Sequence, residues 1–240
     1  PLLTQGFIGC TSENFTTTLG REGSDFTAAI LAHATLAQEV VIWKDVLGVL
    51  NADPRFFEDA KKLESLSYAE AIELAYFGAK VIHPKTIQPL KDKKIPLRVR
   101  SFIDLSIEGT LVSEGAEIKP FLPSFIVKEK QVLLSIAAKD LSFIVEDHLS
   151  HLFSLFSKWG IRVNVMQNSA VSFSVCVDDD IQKLPNLITD LKREYQVLYN
   201  DGLSLFTIRH YDEESIQKVL KDKELLLEQK SRHTVQLVVA

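Results

Sequence analysis

Residues 16–25 read TTTLGREGSD and lie directly before a predicted helix. Glycines in such a turn let the backbone approach a ligand, and the free amide groups and dipole of a helix start favour anions. Arg21 has a planar guanidinium suited to a carboxylate or a phosphate, and Asp25 could orient a metal ion or a reacting group. The alternative is a plain turn in which Ser24 caps the helix, and the residues alone leave these two interpretations equally open.

The elements around this segment alternate between helices and strands as far as about residue 112. A short, continuous apolar run at 40–43 is typical of a strand that is buried on both faces. Ser67 and Glu70 form a capping-box pattern at the start of a helix that Gly78 ends, and Pro84 suits the first turn of the next helix. The predicted helices are 25–38, 67–77 and 84–91, and the predicted strands are 40–43 and 95–100. We therefore expect a largely parallel sheet covered by helices.

Polar residues follow the first predicted strand and the second predicted helix. In open α/β sheets ligands gather at the carboxyl ends of strands, so Lys44, Asp45 and Arg55 are well placed for a nucleotide. Lys80 follows a glycine and precedes a proline-started helix, where its ammonium could reach a phosphate. For the segment 42–55 the alternative is an exposed charged loop with a turn at Asp53-Pro54. The residues of that segment on their own favour this alternative.

The second half of the sequence changes character after a proline-containing linker at 120–123. Strand and amphipathic-helix patterns follow in the order βαββαβ as far as residue 200, which predicts a ferredoxin-like α+β unit. A second βαββ pattern begins at 201 and runs to the last residue, so the two copies form an internal repeat. In this interpretation 195–199 and 203–209 are two separate strands, one in each copy.

Composition and charge narrow the classes of partner. The chain has 240 residues, a net charge of −5 and scattered basic residues, so we expect neither a nucleic-acid nor a membrane partner. Its two cysteines, Cys10 and Cys176, match no zinc or redox spacing, and no residue is assigned to a metal. We expect both thiols to be buried and the protein to be cytoplasmic, where thiols stay reduced. Because the sequence begins at Pro1 without a methionine, we also expect a fragment of a longer protein.

Four motifs occur together in the first half. They are TTTLGRxGSD at 16–25, IWxDVxGV at 42–49, ADPR at 52–55 and FGAKVxHP at 77–84, and Gly109-Thr110 follows them. In this order and spacing they resemble the aspartate kinase (aspartokinase) branch of the amino acid kinase family, whose members carry tandem ACT domains after the kinase domain. The resemblance covers essentially the whole chain, because ACT domains have the pattern of the second half.

The resemblance implies an α/β fold, namely the C-terminal part of an amino acid kinase domain at 1–119. It places α+β ferredoxin-like ACT domains at 124–200 and, incompletely, at 201–240. It implies transfer of the γ-phosphate of ATP, with Mg²⁺, to the β-carboxylate of L-aspartate, which yields 4-phospho-L-aspartate for lysine, threonine and methionine synthesis. It also implies feedback by an amino-acid effector, lysine or threonine, and a homodimer or higher homo-oligomer formed through the ACT domains.

The resemblance further assigns roles to residues at motif positions. Arg21 would hold a carboxylate of aspartate, while Ser24 and Asp25 would organise the active site. The nucleotide contacts would be Lys44, Asp45, Leu50, Arg55, Lys80 and Val81. In the ACT region we expect the effector between segments 142–149 and 163–169, with Leu149, Val163, Asn164 and Ser169 as its contacts.

Several residues depart from the usual motifs. Glu22 replaces a common glycine, Lys44 a common threonine and Leu50 a common tyrosine, and we interpret these as subfamily variation because the added cation and anion can compensate each other. Asn164 and Ala170 stand where lysine-sensitive relatives have acidic residues. The ammonium group of an effector would have no carboxylate partner at these positions, which argues against lysine as the effector. Those positions could equally be plain strand and loop residues.

Other functions remain open from the sequence. The family's N-terminal Lys-Phe-Gly-Gly motif would lie before Pro1, so we expect the chain to be inactive by itself. The main alternative is a non-catalytic amino-acid sensor and dimerisation unit that keeps half of a kinase fold. Another amino acid kinase, such as a glutamate or carbamate kinase, agrees less well with the motif at 77–84 and with the repeat. A homoserine dehydrogenase domain beyond Ala240 is left open.

Overall fold

The computed structural model describes residues 1–80, 82–140 and 142–240. The chain divides into two compact units, Pro1–Ile126 and Val127–Ala240. Among the described residues, no helix combines the length and the apolar character that crossing a membrane requires.

The first unit, in its described part, has a two-stranded hairpin, a four-stranded sheet and three helices. The hairpin strands are β1 (Ile8–Cys10) and β2 (Thr16–Thr18). The sheet strands are β3 (Val40–Lys44), β4 (Ser65–Ser67), β5 (Leu97–Ser101) and β6 (Thr110–Ser113), and the helices are α1 (Gly23–Thr35), α2 (Tyr68–Phe77) and α3 (Pro84–Asp92). The sheet order is β3-β5-β6-β4; β3 and β5 are parallel, as are β4 and β6, whereas β5 and β6 are antiparallel.

The helix ends of the first unit mostly follow the local signals. The Ser67 side chain accepts a hydrogen bond from the Glu70 amide and caps α2, Gly78 ends that helix at φ 123°, and Pro84 occupies the first turn of α3. The predicted cap of α1 was wrong: this helix begins at Gly23, so Ser24 lies inside it, and Glu22 precedes it with φ 56° and no side-chain cap. The left-handed backbone of Glu22 already starts the turn, which removes the need for a capping serine two residues later.

The loop that follows β3 is held by a buried threonine. The Thr110 hydroxyl accepts a hydrogen bond from the Val49 amide at 2.9 Å and donates one to the Leu63 carbonyl at 2.5 Å. Gly48, at φ 141°, allows this approach, because a Cβ at that position would lie 2.5 Å from Thr110 Oγ1. The Gly109-Thr110 pair therefore fixes the segment between Gly48 and Leu63 against the sheet.

The second unit, as far as it is described, is built on one six-stranded sheet with three helices. The strands are β7 (Ser124–Ala138, beginning in the first unit), β8 (Val163–Asn168), β9 (Ser172–Asp178), β10 (Tyr195–Arg209), β11 (Leu225–Lys230) and β12 (Thr234–Val239). The helices are α4 (Glu146–Lys158), α5 (Leu184–Glu194) and α6 (Glu213–Leu220). The sheet order is β11-β12-β10-β7-β9-β8.

This order contains the same arrangement twice, as β7-β9-β8 and as β10-β12-β11. The fold class is confirmed: an α/β unit with a parallel-rich sheet precedes an α+β unit with the element order of a ferredoxin-like repeat. The prediction of separate strands at 195–199 and 203–209 was wrong, because β10 runs unbroken through both. Gly202, at φ 67°, lets the strand pass an irregular position that would otherwise require a turn. The domain bounds 1–119, 124–200 and 201–240 stay predictions.

The two thiols differ in exposure. Cys176 is buried as predicted, but the same prediction for Cys10 was wrong, because Cys10 is exposed at the end of β1. Burial, together with the charge of Asp178, raises the pKa of the Cys176 thiol to about 12.

We expect a thiol reagent to titrate one cysteine in the folded chain and two in urea, since only thiolates react and Cys176 holds its proton. The measurement is a colorimetric thiol assay at pH 8. The variant Cys10→Ser should show no reactive thiol before unfolding; a rapidly reacting thiol in that variant would contradict the burial of Cys176.

Candidate functional site

The two parallel strands β3 and β5 end at the same edge of the first sheet, with Lys44 opposite Ser101. The first turn of α1 lies beside this edge. The Lys44 ammonium is 2.7 Å from Asp25 Oδ2, and the two side chains are 24% and 14% exposed. The structure thus brings together the anion-binding turn and the strand end that were predicted separately.

The turn before α1 presents charged groups of both signs. The Arg21 side chain is 71% exposed, and its Nε lies 3.9 Å from Glu22 Oε1, a loose contact that leaves the guanidinium accessible to an anion. Ser24 is exposed in the first turn of α1, where amide groups point outwards. Gly23 must lack a side chain, because a Cβ there would lie 2.9 Å from Phe7 and 3.0 Å from Leu19.

A second group of charges lies in the loop after β3. Arg55 donates from Nε at 3.0 Å and from Nη2 at 2.5 Å to the Asp53 carboxylate. These hydrogen bonds hold the pKa of Asp53 below its usual range, and the positive charge of Lys80 lowers it further. The charge of Lys80 thus acts on the Asp53–Arg55 pair, although the three residues come from two separate sequence motifs.

The remaining predicted nucleotide residues are less closely grouped. Asp45 is exposed just after β3, and Leu50 is half-buried and forms an antiparallel bridge with Lys62. Val81 lies outside the described residues. The roles of all these residues stay predictions.

Sequence reasoning missed two residues that shape the site. Asn51 is buried; its Oδ1 accepts from the Lys61 amide at 2.7 Å and its Nδ2 donates to the Pro123 carbonyl at 2.8 Å, so it fixes the loop that carries Arg55. Arg100 lies across from Trp43, with its guanidinium carbon 5.0 Å from that ring. The alternation of arginine with apolar residues along β5 was the available signal for Arg100, whereas nothing local marks Asn51.

The predicted effector positions have different surroundings, and their role stays a prediction. Leu149 and Val163 pack against the hydrophobic core of the second unit, and Ser169 hydrogen-bonds Ser172 across a tight turn. The Ile144 amide donates to the Ala170 carbonyl at 2.9 Å, which does join the segment before α4 to this turn.

The Asn164 side-chain amide hydrogen-bonds three neighbouring side chains. Its Nδ2 donates at 2.9 Å to both Gln131 Oε1 and Asp178 Oδ1, and its Oδ1 accepts from the Lys128 ammonium at 2.9 Å. Burial lowers the pKa of Lys128, and the nearby charge of Asp178 opposes this effect.

We expect the variant Arg55→Met to raise the pKa of Asp53 towards its ordinary value, because the strongest stabiliser of the carboxylate is removed. The depressed pKa means that the native contact stabilises the fold above the unfolded-state pKa of about 3.9 and that this contribution is lost as pH falls through the folded-state pKa. Carboxyl-carbon NMR titration would measure the shift. Asp104 is the internal control, since Ser106 and not Arg55 lowers its pKa; an unchanged Asp53 titration would show that Arg55 does not stabilise the carboxylate.

The fold and the charged sheet edge are typical of α/β proteins that bind an anionic ligand at a helix start and a strand end. Residues 2–101 match the amino acid kinase family. The lysine-sensitive aspartokinase 3 of Escherichia coli is 36% identical over 214 residues, which are 86% of this chain and 47% of that protein. The chain is therefore similar to a portion of an aspartate kinase, which confirms the resemblance inferred from the motifs.

Solved structures agree with this assignment. The structure of E. coli aspartokinase III in complex with aspartate and ADP aligns with a TM-score of 0.79 and 32% identity, over 98% of this chain and 56% of that one. The aspartate kinase of Clostridium acetobutylicum aligns with a TM-score of 0.84 and 25% identity, over 98% of this chain and 58% of that one. The chain thus spans about half the length of the relatives that it matches.

Proposed function

We propose that this chain is part of an aspartate kinase, which transfers the γ-phosphate of ATP to the β-carboxylate of L-aspartate and releases 4-phospho-L-aspartate. The observation that carries the proposal is the 2.7 Å contact between Lys44 and Asp25. It joins the turn with the exposed Arg21 to the strand end at which nucleotides gather in α/β sheets. The aspartate and ADP in the E. coli aspartokinase III structure support this choice of ligands.

The residues of the site divide into an acceptor side and a nucleotide side. Arg21 offers a two-pronged donor to a carboxylate of aspartate, and the amide groups at the start of α1, near Ser24, neutralise charge that develops on the transferring oxygens. Asp25 keeps the Lys44 ammonium at the strand end, where the ammonium can contact a phosphate. Phosphoryl transfer depends mainly on such positioning and charge neutralisation.

On the nucleotide side, Arg55 and Lys80 are two cations that fit the phosphates of a nucleotide. Asp45 and Leu50 lie earlier in the loop that carries Arg55. Val81 is assigned by motif position alone. ATP carried with Mg²⁺ would supply the phosphoryl group. Mg²⁺ is usually held by one or two carboxylates together with substrate phosphates, and the exposed carboxylate of Asp45, next to the Lys44 strand end, is of that kind.

The second unit is proposed as a pair of ACT domains, at 124–200 and 201–240, through which the protein forms a homodimer or higher homo-oligomer in the cytoplasm. Because Asn164 and Ala170 offer no carboxylate to the side-chain ammonium of lysine, threonine is a better candidate effector than lysine at the predicted position. The relative from E. coli is lysine-sensitive by name, so lysine belongs in the same test. Thermal unfolding with each amino acid would decide, since a specific ligand raises the melting temperature.

The catalytic proposal is tested on the longer protein that includes the sequence upstream of Pro1. We expect ATP-dependent formation of aspartyl hydroxamate from L-aspartate and hydroxylamine, and no product from the 240-residue chain by itself. Glutamate and N-acetylaspartate, each assayed in place of L-aspartate, serve as control acceptors. Product formed from glutamate and not from aspartate would overturn the proposal, as would a folded, ADP-binding long protein that phosphorylates no acceptor.

A further inference from the structure

Asn51 lies at the base of the loop that carries Arg55, and all of its polar groups join that base to other segments. Its side-chain Oδ1 accepts a hydrogen bond from the Lys61 amide at 2.7 Å, and its backbone amide donates to the Lys61 carbonyl at 2.9 Å. Its Nδ2 donates to the Pro123 carbonyl at 2.8 Å, and its backbone carbonyl accepts from the Phe125 amide at 2.6 Å. Asn51 therefore closes the loop and ties the closed loop to the start of β7.

The side chain at this position has to supply one acceptor and one donor. A backbone amide can only donate and a carbonyl can only accept, so the contacts with Lys61 and Pro123 fix which end of the Asn51 amide is oxygen and which is nitrogen. Asn51 is buried, so the loss of either group leaves a main-chain partner unsatisfied away from water. Aspartate has nearly the same shape as asparagine but no donor for the Pro123 carbonyl. Asn51→Asp therefore breaks the tie to β7 and keeps the acceptor for Lys61.

The tie reaches Arg55 through a tight turn of the loop. The Asp53 carbonyl accepts a hydrogen bond from the Phe57 amide at 3.0 Å, and the Asp53 carboxylate accepts one from the Arg55 amide at 3.0 Å. The Phe57 side chain is buried, and its ring packs on the Phe125 ring with centroids 4.6 Å apart. The turn that presents Arg55 is thus held at the start of β7 twice, by Asn51 and by Phe57.

We propose that Asn51 is a positioning residue for the nucleotide, which holds Arg55 where its guanidinium can contact a phosphate. This inference rests on the proposed function, because it takes Arg55 as a nucleotide contact. The Arg55 side chain is 69% exposed, so its place is set mainly by the backbone of the loop. A guanidinium that moves by about an ångström loses the two-pronged geometry of its contact with a phosphate. Asn51 acts through Arg55 and touches no substrate itself.

The test measures ADP affinity by isothermal titration calorimetry on the longer protein that includes the sequence upstream of Pro1. Asn51→Asp should weaken ADP binding about tenfold and raise KM for ATP by a similar factor, because the loop shifts and misplaces one solvent-screened cation. It should change kcat and KM for aspartate by less than about twofold, since Arg21 and α1 are not part of this loop. Asn51→Ser is uncharged and too short to reach both partners, so it should weaken ADP binding likewise and serves if Asn51→Asp does not fold.

Two further variants separate positioning from a general loss of stability. Tyr68→Phe removes a buried hydrogen bond of the same unit, from the Tyr68 hydroxyl to the Ile95 carbonyl at 2.5 Å. It should lower the melting temperature, as Asn51→Asp does, but leave ADP affinity unchanged. In the background Arg55→Met, Asn51→Asp should weaken ADP binding by less than about twofold, because a residue that acts through Arg55 has little effect once Arg55 is gone.

Each contrary result has a distinct meaning. Unchanged ADP affinity in both Asn51→Asp and Asn51→Ser would overturn the positioning role and leave the proposed function standing. An undiminished loss in the Arg55→Met background would overturn it as well, since Asn51 would then act by another route, and so would an equal loss of affinity in Tyr68→Phe. A longer protein that binds no ADP would overturn the proposed function and the positioning role together.

Discussion

Gly109→Ala is expected to lower the free energy of unfolding of the first unit by about 3–5 kcal/mol, the sum of backbone strain and overpacking. Gly109 has φ 79°, a conformation that alanine adopts only with strain. An added Cβ would also collide with the Val99 carbonyl of β5, which is backbone and cannot rotate away. The strand would have to shift, and with it the neighbouring Thr110 that holds the loop after β3.

The measurement is urea unfolding followed by the fluorescence of Trp43, in a background with Trp159→Phe so that only the first unit reports. Gly115→Ala is the matched control: Gly115 has φ 69°, but no heavy atom lies within 4 Å of its added Cβ. It should cost only the backbone term, about 1 kcal/mol. Equal losses in the two variants would show that the contact with Val99 contributes nothing.

Lys44→Met is expected to lower kcat/KM of the longer, active protein by roughly 10–100-fold, because truncating one partner of a largely buried charge pair costs about 2–5 kcal/mol and partial exposure reduces that figure. The Asp25 carboxylate, which is 14% exposed on its side chain, would lose its cation at 2.7 Å. The ammonium proposed to contact a phosphate would disappear at the same time. This prediction depends on the proposed function, whereas the preceding one does not.

Three further variants identify the cause of the loss. Lys44→Arg keeps the charge and should retain most of the activity. Arg98→Met breaks a more exposed ion pair, with Glu39 at 2.9 Å, on the neighbouring strand, and should leave kcat/KM unchanged. The double variant Asp25→Asn/Lys44→Met, compared with Lys44→Met, shows whether the pair acts as a unit, since such a pair loses little more when its second member is also replaced. Full activity in Lys44→Met would remove Lys44 from the site.

Local signals predicted much of the fold correctly. The Ser67 cap, the end of α2 at Gly78 and the start of α3 at Pro84 all depend on residues within one helical turn, so the sequence contains the whole cause. The exceptions are instructive. Ser24 satisfied every local rule for a cap, but the left-handed Glu22 and the packing of Gly23 on Phe7 moved the helix start. Cys10 has a hydrophobic side chain and nevertheless lies on an exposed hairpin strand.

The sequence by itself determined the three helices of the first half and the repeat in the second half, because periodicity and capping act over a few residues. Only the tertiary structure decided that Asp25 meets Lys44, that Asn164 is occupied by Lys128, Gln131 and Asp178, and that β10 is one strand. These features join residues far apart in the chain, and their distances follow from how whole strands and helices pack.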